Sequence, residues 1–74
     1  MRLTELHSDL AELRGDLAAE LEAITRLESQ TFALTDEEAR EEVRRIADDK
    51  KGHAASLLRH IERLDPQFGE RVRG

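Results

Sequence analysis

The spacing of apolar residues in the first half of the chain limits the possible folds more than any other feature. Apolar side chains recur there at intervals of mostly three and four residues, at Leu3, Leu6, Leu10, Leu13, Leu17, Ile24, Leu27 and Leu34. This spacing is typical of an α-helix that packs along one seam on a second helix. Because Pro66 is the only proline, little interrupts helical structure before it. The sequence therefore predicts an all-α fold.

Local signals place the helix boundaries. Thr35 and the acidic residues after it have the form of a capping box, in which the Thr35 hydroxyl accepts the backbone N–H of Glu38. Asp65 and Pro66 signal another helix start, since aspartate can cap a helix whose first residue is proline. We expect helix 1 over 3–33, a turn at 34–35, helix 2 over 36–64 and a short helix over 66–72, in a single domain of residues 1–74. The short turn makes the two long helices an antiparallel hairpin.

The second half of the chain carries two apolar stripes. The first continues the seam, with interruptions, through Ala39, Val43, Ile46, Lys50, His53, Leu57, His60 and Leu64. The second runs beside it through Ala47, Ala54, Leu58 and Ile61. We expect the second stripe to stay exposed in a monomer, so that hairpins dimerise into a four-helix bundle. A chain of 74 residues without cysteine also needs further stabilisation, from oligomerisation or from a metal ion.

The charge pattern excludes several kinds of partner. The formal net charge is −5, and acidic and basic residues alternate along the chain, so no basic stripe is present to bind nucleic acid. No apolar run approaches the roughly 18 residues that a membrane span needs. We therefore expect a soluble, cytoplasmic or compartment-enclosed protein that binds neither nucleic acid nor membrane.

Three ionisable residues interrupt the apolar seams in the same part of the hairpin. Glu20 precedes the turn by about as many residues as Lys50 follows it, so their heights differ by only a few ångströms at ~1.5 Å per residue. His53 lies one helical turn further along the same face, and Gly52 before it permits close backbone approach. We expect Glu20, Lys50 and His53 to form one cluster in the apolar middle of the hairpin.

Two segments carry a resemblance to a known family. They are "AELEAI" at 19–24 and "GHAASLLRHIERLDPQF" at 52–68. With them the chain resembles the encapsulated ferritin-like proteins, in which two-helix subunits pair to build a ferritin-type four-helix bundle. The resemblance covers nearly all of residues 17–72. A carboxylate ligand of that family falls on Glu20, and the histidine of its Glu-x-x-His segment falls on His53.

The resemblance implies a function and a set of partners. Glu20 and His53 would be both metal ligands and catalytic residues, binding iron at a dimer interface and oxidising Fe(II) in a ferroxidase reaction. The subunits would form a homodimer or a larger ring-like homo-oligomer, in some members inside an encapsulin shell. Carboxylate and imidazole ligands also suit zinc or manganese.

The chain departs from this family in two places that bear on function. Lys50 stands where the family has the glutamate of Glu-x-x-His, which leaves Asp49 as a stand-in carboxylate for a third metal ligand. The sequence also has no C-terminal extension after Gly74 of the kind that loads such proteins into a shell. Either the chain is trimmed, or shell loading is not part of its function.

Two functions from different classes remain open. The first is iron binding and oxidation by Glu20 and His53 from two subunits, impaired by Lys50. The second is a metal-free structural or interaction hairpin. Across a two-fold axis two Glu20 carboxylates balance two Lys50 ammonium groups, and this pairing satisfies the buried charges without a metal ion.

Overall fold

The computed structural model describes residues 2–74, which form two long helices and a short C-terminal one, with no strand among them. The helices are α1 (Leu3–Ala33), α2 (Glu37–Leu64) and α3 (Pro66–Arg73). The first two pack side by side as a hairpin, and the described residues measure 51 × 25 × 14 Å. The predicted all-helical fold is therefore confirmed. Over the same residues no helix is both long and apolar enough to cross a membrane.

An arginine holds the turn between the long helices. Leu34 leaves the helical conformation, and its backbone N–H still donates to the Gln30 carbonyl at 2.9 Å. The Leu34 carbonyl accepts two hydrogen bonds from the Arg40 guanidinium, at 2.7 and 3.3 Å. Because Arg40 lies in the first turns of α2, these bonds tie the end of α1 to the start of α2.

The residue that caps α2 differs from the predicted one. The helix begins at Glu37, one residue later than expected, and its N-cap is Asp36 rather than Thr35. The Asp36 carboxylate accepts the backbone N–H of Ala39 at 2.9 Å. A charged carboxylate bonds more strongly to the positive helix end than a hydroxyl does, which explains why the cap moves by one residue.

The core corrects the predicted roles of the two stripes on α2. The buried apolar residues are Leu10, Ala23 and Ile24 of α1 and Ala47, Ala54 and Ile61 of α2. The stripe expected to stay exposed therefore faces α1, while Ile46 of the predicted seam is 39% exposed. Half of these core residues are alanines, which allow two helices to approach closely but bury little apolar surface.

The short C-terminal helix packs on α2. Asp65 caps it as predicted, since its carboxylate accepts the backbone N–H of Phe68 at 3.3 Å. Gly69 is buried against Glu62, and a Cβ at this glycine would lie 3.2 Å from the Glu62 Cβ. An ion pair of 2.8 Å between Arg73 and Glu62 closes the contact. A methyl group at Gly69 would require the Glu62 and Arg73 side chains to shift by a few tenths of an ångström.

Large apolar side chains remain exposed over much of the surface. They are Leu3, Leu21, Phe32, Ile46, Phe68 and Val72. The single hairpin therefore has a small core and leaves several large apolar side chains in contact with solvent.

Replacing Ile61 with alanine tests which stripe faces α1. Ile61 is 1% exposed, so Ile61→Ala is expected to lower the free energy of unfolding by about 2–4 kcal/mol through lost burial and the cavity left behind. The matched control, Ile46→Ala, removes the same atoms from a more exposed site and is expected to cost less than half as much. Urea unfolding followed by circular dichroism measures both, at a protein concentration low enough to keep the chain monomeric, so that contacts of Ile46 with a second copy do not contribute. A larger loss of stability for Ile46→Ala than for Ile61→Ala would mean that the predicted seam through Ile46 is the face that packs on α1.

Alanine substitutions in the turn test the position of the cap. Asp36→Ala removes the acceptor for the Ala39 N–H and is expected to cost about 1 kcal/mol of stability. Thr35→Ala is the control and should leave the melting temperature nearly unchanged, since the Thr35 hydroxyl does not cap the helix. If the effects are reversed in thermal melts, the capping box predicted from the sequence is the right one.

Candidate functional site

One carboxylate oxygen joins Glu20, Lys50 and His53, the ionisable residues that interrupt the apolar seams at one level of the hairpin. Glu20 Oε2 lies 3.4 Å from Lys50 Nζ and 3.8 Å from His53 Nδ1. Glu20 comes from the middle of α1, and the other two lie one turn apart on α2. The structure therefore brings together the three residues that the sequence predicts to cluster, in the register that the short turn imposes.

The cluster lies at one side of the helix pair and not in its apolar middle. The side chains of Glu20 and Lys50 are 22% and 28% exposed, whereas that of His53 is 64% exposed. The reason is the shift of the core toward Ala47, Ala54 and Ile61 described above, which turns His53 outward. Glu20 and Lys50 thus form a partly desolvated ion pair, and His53 covers its outer side.

A shallow groove of about 420 Å³ follows this side of the hairpin. It is lined by Asp16, Ala19, Glu20, His53, Ser56 and Leu57. We call this side, together with Ile46 on the same face seven residues before His53, the Glu20 edge. Gly52 does not shape it, because a Cβ at that position would meet no atom within 4 Å. The close backbone approach expected at Gly52 therefore does not occur within the hairpin.

The donor set in one chain does not fit a metal ion. Lys50, a cation, is closer to the Glu20 carboxylate than His53 is. Asp49 is exposed on α2 and does not line the groove. Across residues 2–74, no group of three or more histidine, aspartate and glutamate side chains is placed to hold a metal ion. Any metal site that uses Glu20 and His53 would need ligands from a second copy.

His60 lies in a separate groove further along the Glu20 edge. Its Nδ1 is 3.3 Å from the Arg63 guanidinium, and Asp9 and Glu12 of α1 line the same groove of about 380 Å³. This position agrees with the spacing along α2, which puts His60 about 10 Å beyond His53. The two histidines therefore do not share one site.

A larger cleft, which the sequence did not predict, lies on the opposite side of the hairpin. This cleft of about 760 Å³ is lined by Glu28, Thr31, Phe32, Arg40, Arg44, Ala47, Asp48 and Lys51. Lys51 and Glu28 form an ion pair of 3.0 Å across it. The signal in the sequence was Phe32, an aromatic residue that falls off the apolar seam of helix 1.

Two exposed cations have raised pKa values, one from an ion pair between the long helices and one from a pair within α2. The hydrogen bond with Glu28, followed by the charge of that carboxylate, raises the pKa of Lys51. On α2 the hydrogen bond with Glu42, three residues before it, raises the pKa of Arg45 in the same way. Both side chains are solvated, so these pairs contribute little to stability.

In comparisons with known proteins, no family model matches the chain, and neither a curated protein nor a solved structure gives a match. The resemblance to the encapsulated ferritin-like proteins thus rests on the sequence segments that carry it. The fold and the site together define a helical hairpin with a partly buried carboxylate, ammonium and imidazole cluster at one edge.

Neutralising Glu20 tests whether the cluster stabilises the hairpin. Glu20→Gln keeps the shape of the side chain but leaves the Lys50 ammonium partly buried without its counter-ion, and is expected to cost about 1–3 kcal/mol. The control is Glu42→Gln, which breaks the exposed pair with Arg45 and is expected to change stability little. Urea unfolding of both variants beside the native chain gives the comparison. If both substitutions lower the free energy of unfolding by the same small amount, the Glu20–Lys50 pair does not stabilise the hairpin.

Proposed function

We propose that this protein is a ferritin-like two-helix subunit that pairs with a second copy along its Glu20 edge, and that the Lys50 ammonium takes the place of a metal ion there. In this role the chain is a structural or interaction module and not an oxidase. It is supported by the resemblance of the sequence to the encapsulated ferritin-like proteins and by the opposite charges of Glu20 and Lys50.

One observation carries the proposal, namely the position of Lys50 Nζ at 3.4 Å from Glu20 Oε2. Removing a carboxylate from water is costly unless a positive group compensates it. In a metal site the ion compensates the carboxylates, and here the ammonium group does so. In a two-fold pair of hairpins the two Glu20 and two Lys50 side chains sum to no net charge, which removes the need for a divalent ion.

The apolar surface of the Glu20 edge supports pairing along it. Ile46 is more than one-third exposed and lies on the same face of α2 as His53, and Leu57 between α1 and α2 is only partly buried. A second hairpin placed on this edge would cover both side chains and bury the Glu20–Lys50 pair more deeply. The small core of the single hairpin makes such burial favourable.

A second candidate function is iron binding between two copies. It is favoured by the 3.8 Å distance between Glu20 Oε2 and His53 Nδ1, two atoms that suit a divalent metal, and by the exposure of His53. Two copies would supply two carboxylates and two imidazoles. In this case Lys50 would have to swing away from Glu20.

An anaerobic titration with Fe(II), followed by admission of oxygen, separates the two functions. We expect the native chain to give the same ferric absorbance trace as a protein-free control, because Lys50 compensates Glu20 and repels a dication. Faster oxidation than the control, lost in His53→Ala while helicity is retained, would favour the second candidate and overturn the first.

Restoring a carboxylate at position 50 tests the ferritin-like arrangement itself. Lys50→Glu should destabilise the protein without metal, since three acceptors then meet with no cation, and added Fe(II) or Zn(II) should raise its melting temperature. The control is Arg59→Glu, which changes the charge equally at an exposed position of α2 whose side-chain partner is Ser56. A melting temperature of Lys50→Glu that does not respond to metal would show that these residues do not form a ligand layer.

A further inference from the structure

A second exposed stripe runs along α1, away from the Glu20 edge. It consists of Arg14, Ala18, Leu21, Thr25, Glu28 and Phe32, at alternating intervals of four and three residues. All six are exposed, with Leu21 at 52% and Phe32 at 91%. We call these residues the outer stripe. The four-three spacing is that of a helix that packs on another helix, yet within residues 2–74 no helix covers it.

The charges of the outer stripe are arranged symmetrically about Leu21. Arg14 lies seven residues before it and Glu28 seven residues after it. We propose that a second copy of this chain docks on the outer stripe with its own α1 antiparallel, so that the two Leu21 side chains meet at a two-fold axis. In that register Arg14 of each chain faces Glu28 of the other, which forms two ion pairs.

The same charges exclude the parallel arrangement. With parallel helices Arg14 would face a second Arg14, and Glu28 would face a second Glu28. Facing like charges disfavour an association, and opposite charges in the other orientation select it. The stripe therefore specifies both its occupant, a second copy, and the direction of that copy.

The uncharged residues of the outer stripe fit this register as well. In this register Thr25 of the second copy lies one residue, or about 1.5 Å, from the level of Ala18, and Ala11 lies one residue from the level of Phe32, so the large Phe32 side chain has a small neighbour. The Thr25 hydroxyl already donates to the Leu21 carbonyl at 3.2 Å. Its methyl group can therefore enter an apolar contact without leaving a hydroxyl unpaired.

Arg14 and Glu28 have partners within the hairpin that they can share. Arg14 lies 3.2 Å from the Asp65 carboxylate, and Glu28 lies 3.0 Å from Lys51. These groups are more than half exposed, except for Asp65. A guanidinium has five donors and a carboxylate can accept several, so a contact between copies adds to the existing pairs and need not replace them.

Single cysteines test the register directly, because the chain contains no cysteine of its own. Leu21→Cys is expected to give a disulfide-linked dimer under mild oxidation, since the residue at the two-fold axis faces its own copy. Phe32→Cys should stay unlinked in the antiparallel register and would link in a parallel one. Val72→Cys is the control for random collision, because Val72 is exposed to the same degree on α3.

Charge reversal tests the two ion pairs between copies. Arg14→Glu and Glu28→Arg should each weaken dimerisation by about tenfold or more, because like charges then face each other twice. All three variants are made in an Ile46→Lys background, which removes pairing along the Glu20 edge. There the double variant restores opposite charges and should recover the dimerisation constant of Ile46→Lys alone in sedimentation equilibrium. If the single variants act only by breaking bonds within one hairpin, the double variant should dimerise more weakly than either, because it lacks the bonds to both Asp65 and Lys51.

The outcomes separate this proposal from pairing along the Glu20 edge. Leu21→Lys should remove the contact on the outer stripe and leave an assembly that Ile46→Lys disrupts. Failure of Leu21→Cys to crosslink above the Val72→Cys control, or a double charge reversal that is weaker than either single one, overturns the proposal. A different protein seated on the stripe would give the same negative result and would also overturn it.

Discussion

The other features of this hairpin depend on the contact between α1 and the Ala47, Ala54 and Ile61 face of α2. Alanine at the contact lets the two helix axes approach closely, and Ile61 has the least exposed side chain among the core residues of the described part of the chain. Because the chain has one such layer, each long helix keeps a large part of its surface uncovered. The register of this contact sets which charged residues meet, and it determines which apolar residues remain exposed.

The Glu20 cluster is a direct result of that register. Glu20 and Lys50 lie at the border of the buried layer. Both are largely shielded from water, so each charge is stabilised by the other, and both keep some contact with solvent, so neither requires a further partner. His53 completes the cluster from the solvent side. A carboxylate with an ammonium group nearer to it than an imidazole is a poor starting point for metal binding, and it suits an interface whose charges are already balanced. This contrast explains why one lysine decides between the two proposed functions.

The sequence predicts the helices and the Glu20 cluster better than it predicts which face of α2 packs on α1. Apolar spacing and the single proline were sufficient for three helices, and counting residues from the turn brought Glu20 level with Lys50. The choice of stripe failed because the seam through Ile46 and His53 and the stripe through Ala47 and Ala54 lie side by side, and alanines score weakly as core residues by apolarity alone. The predicted N-cap of α2 was wrong by one residue for a related reason, since Thr35 and Asp36 are adjacent and both residue types can cap a helix. In each case neighbouring positions carried similar signals, and only packing distinguished them.

The short C-terminal helix has a consequence for motion. Within the described residues α3 packs on α2 and makes no helix contact with α1, and its main attachments are Gly69 against Glu62 and the ion pair of Arg73. Such an element can open locally while the hairpin stays folded. Its backbone amides should therefore exchange hydrogen with solvent faster than those around Ile61, at a rate independent of global unfolding. The chain would then open in two steps of unequal free energy, α3 before the hairpin of α1 and α2.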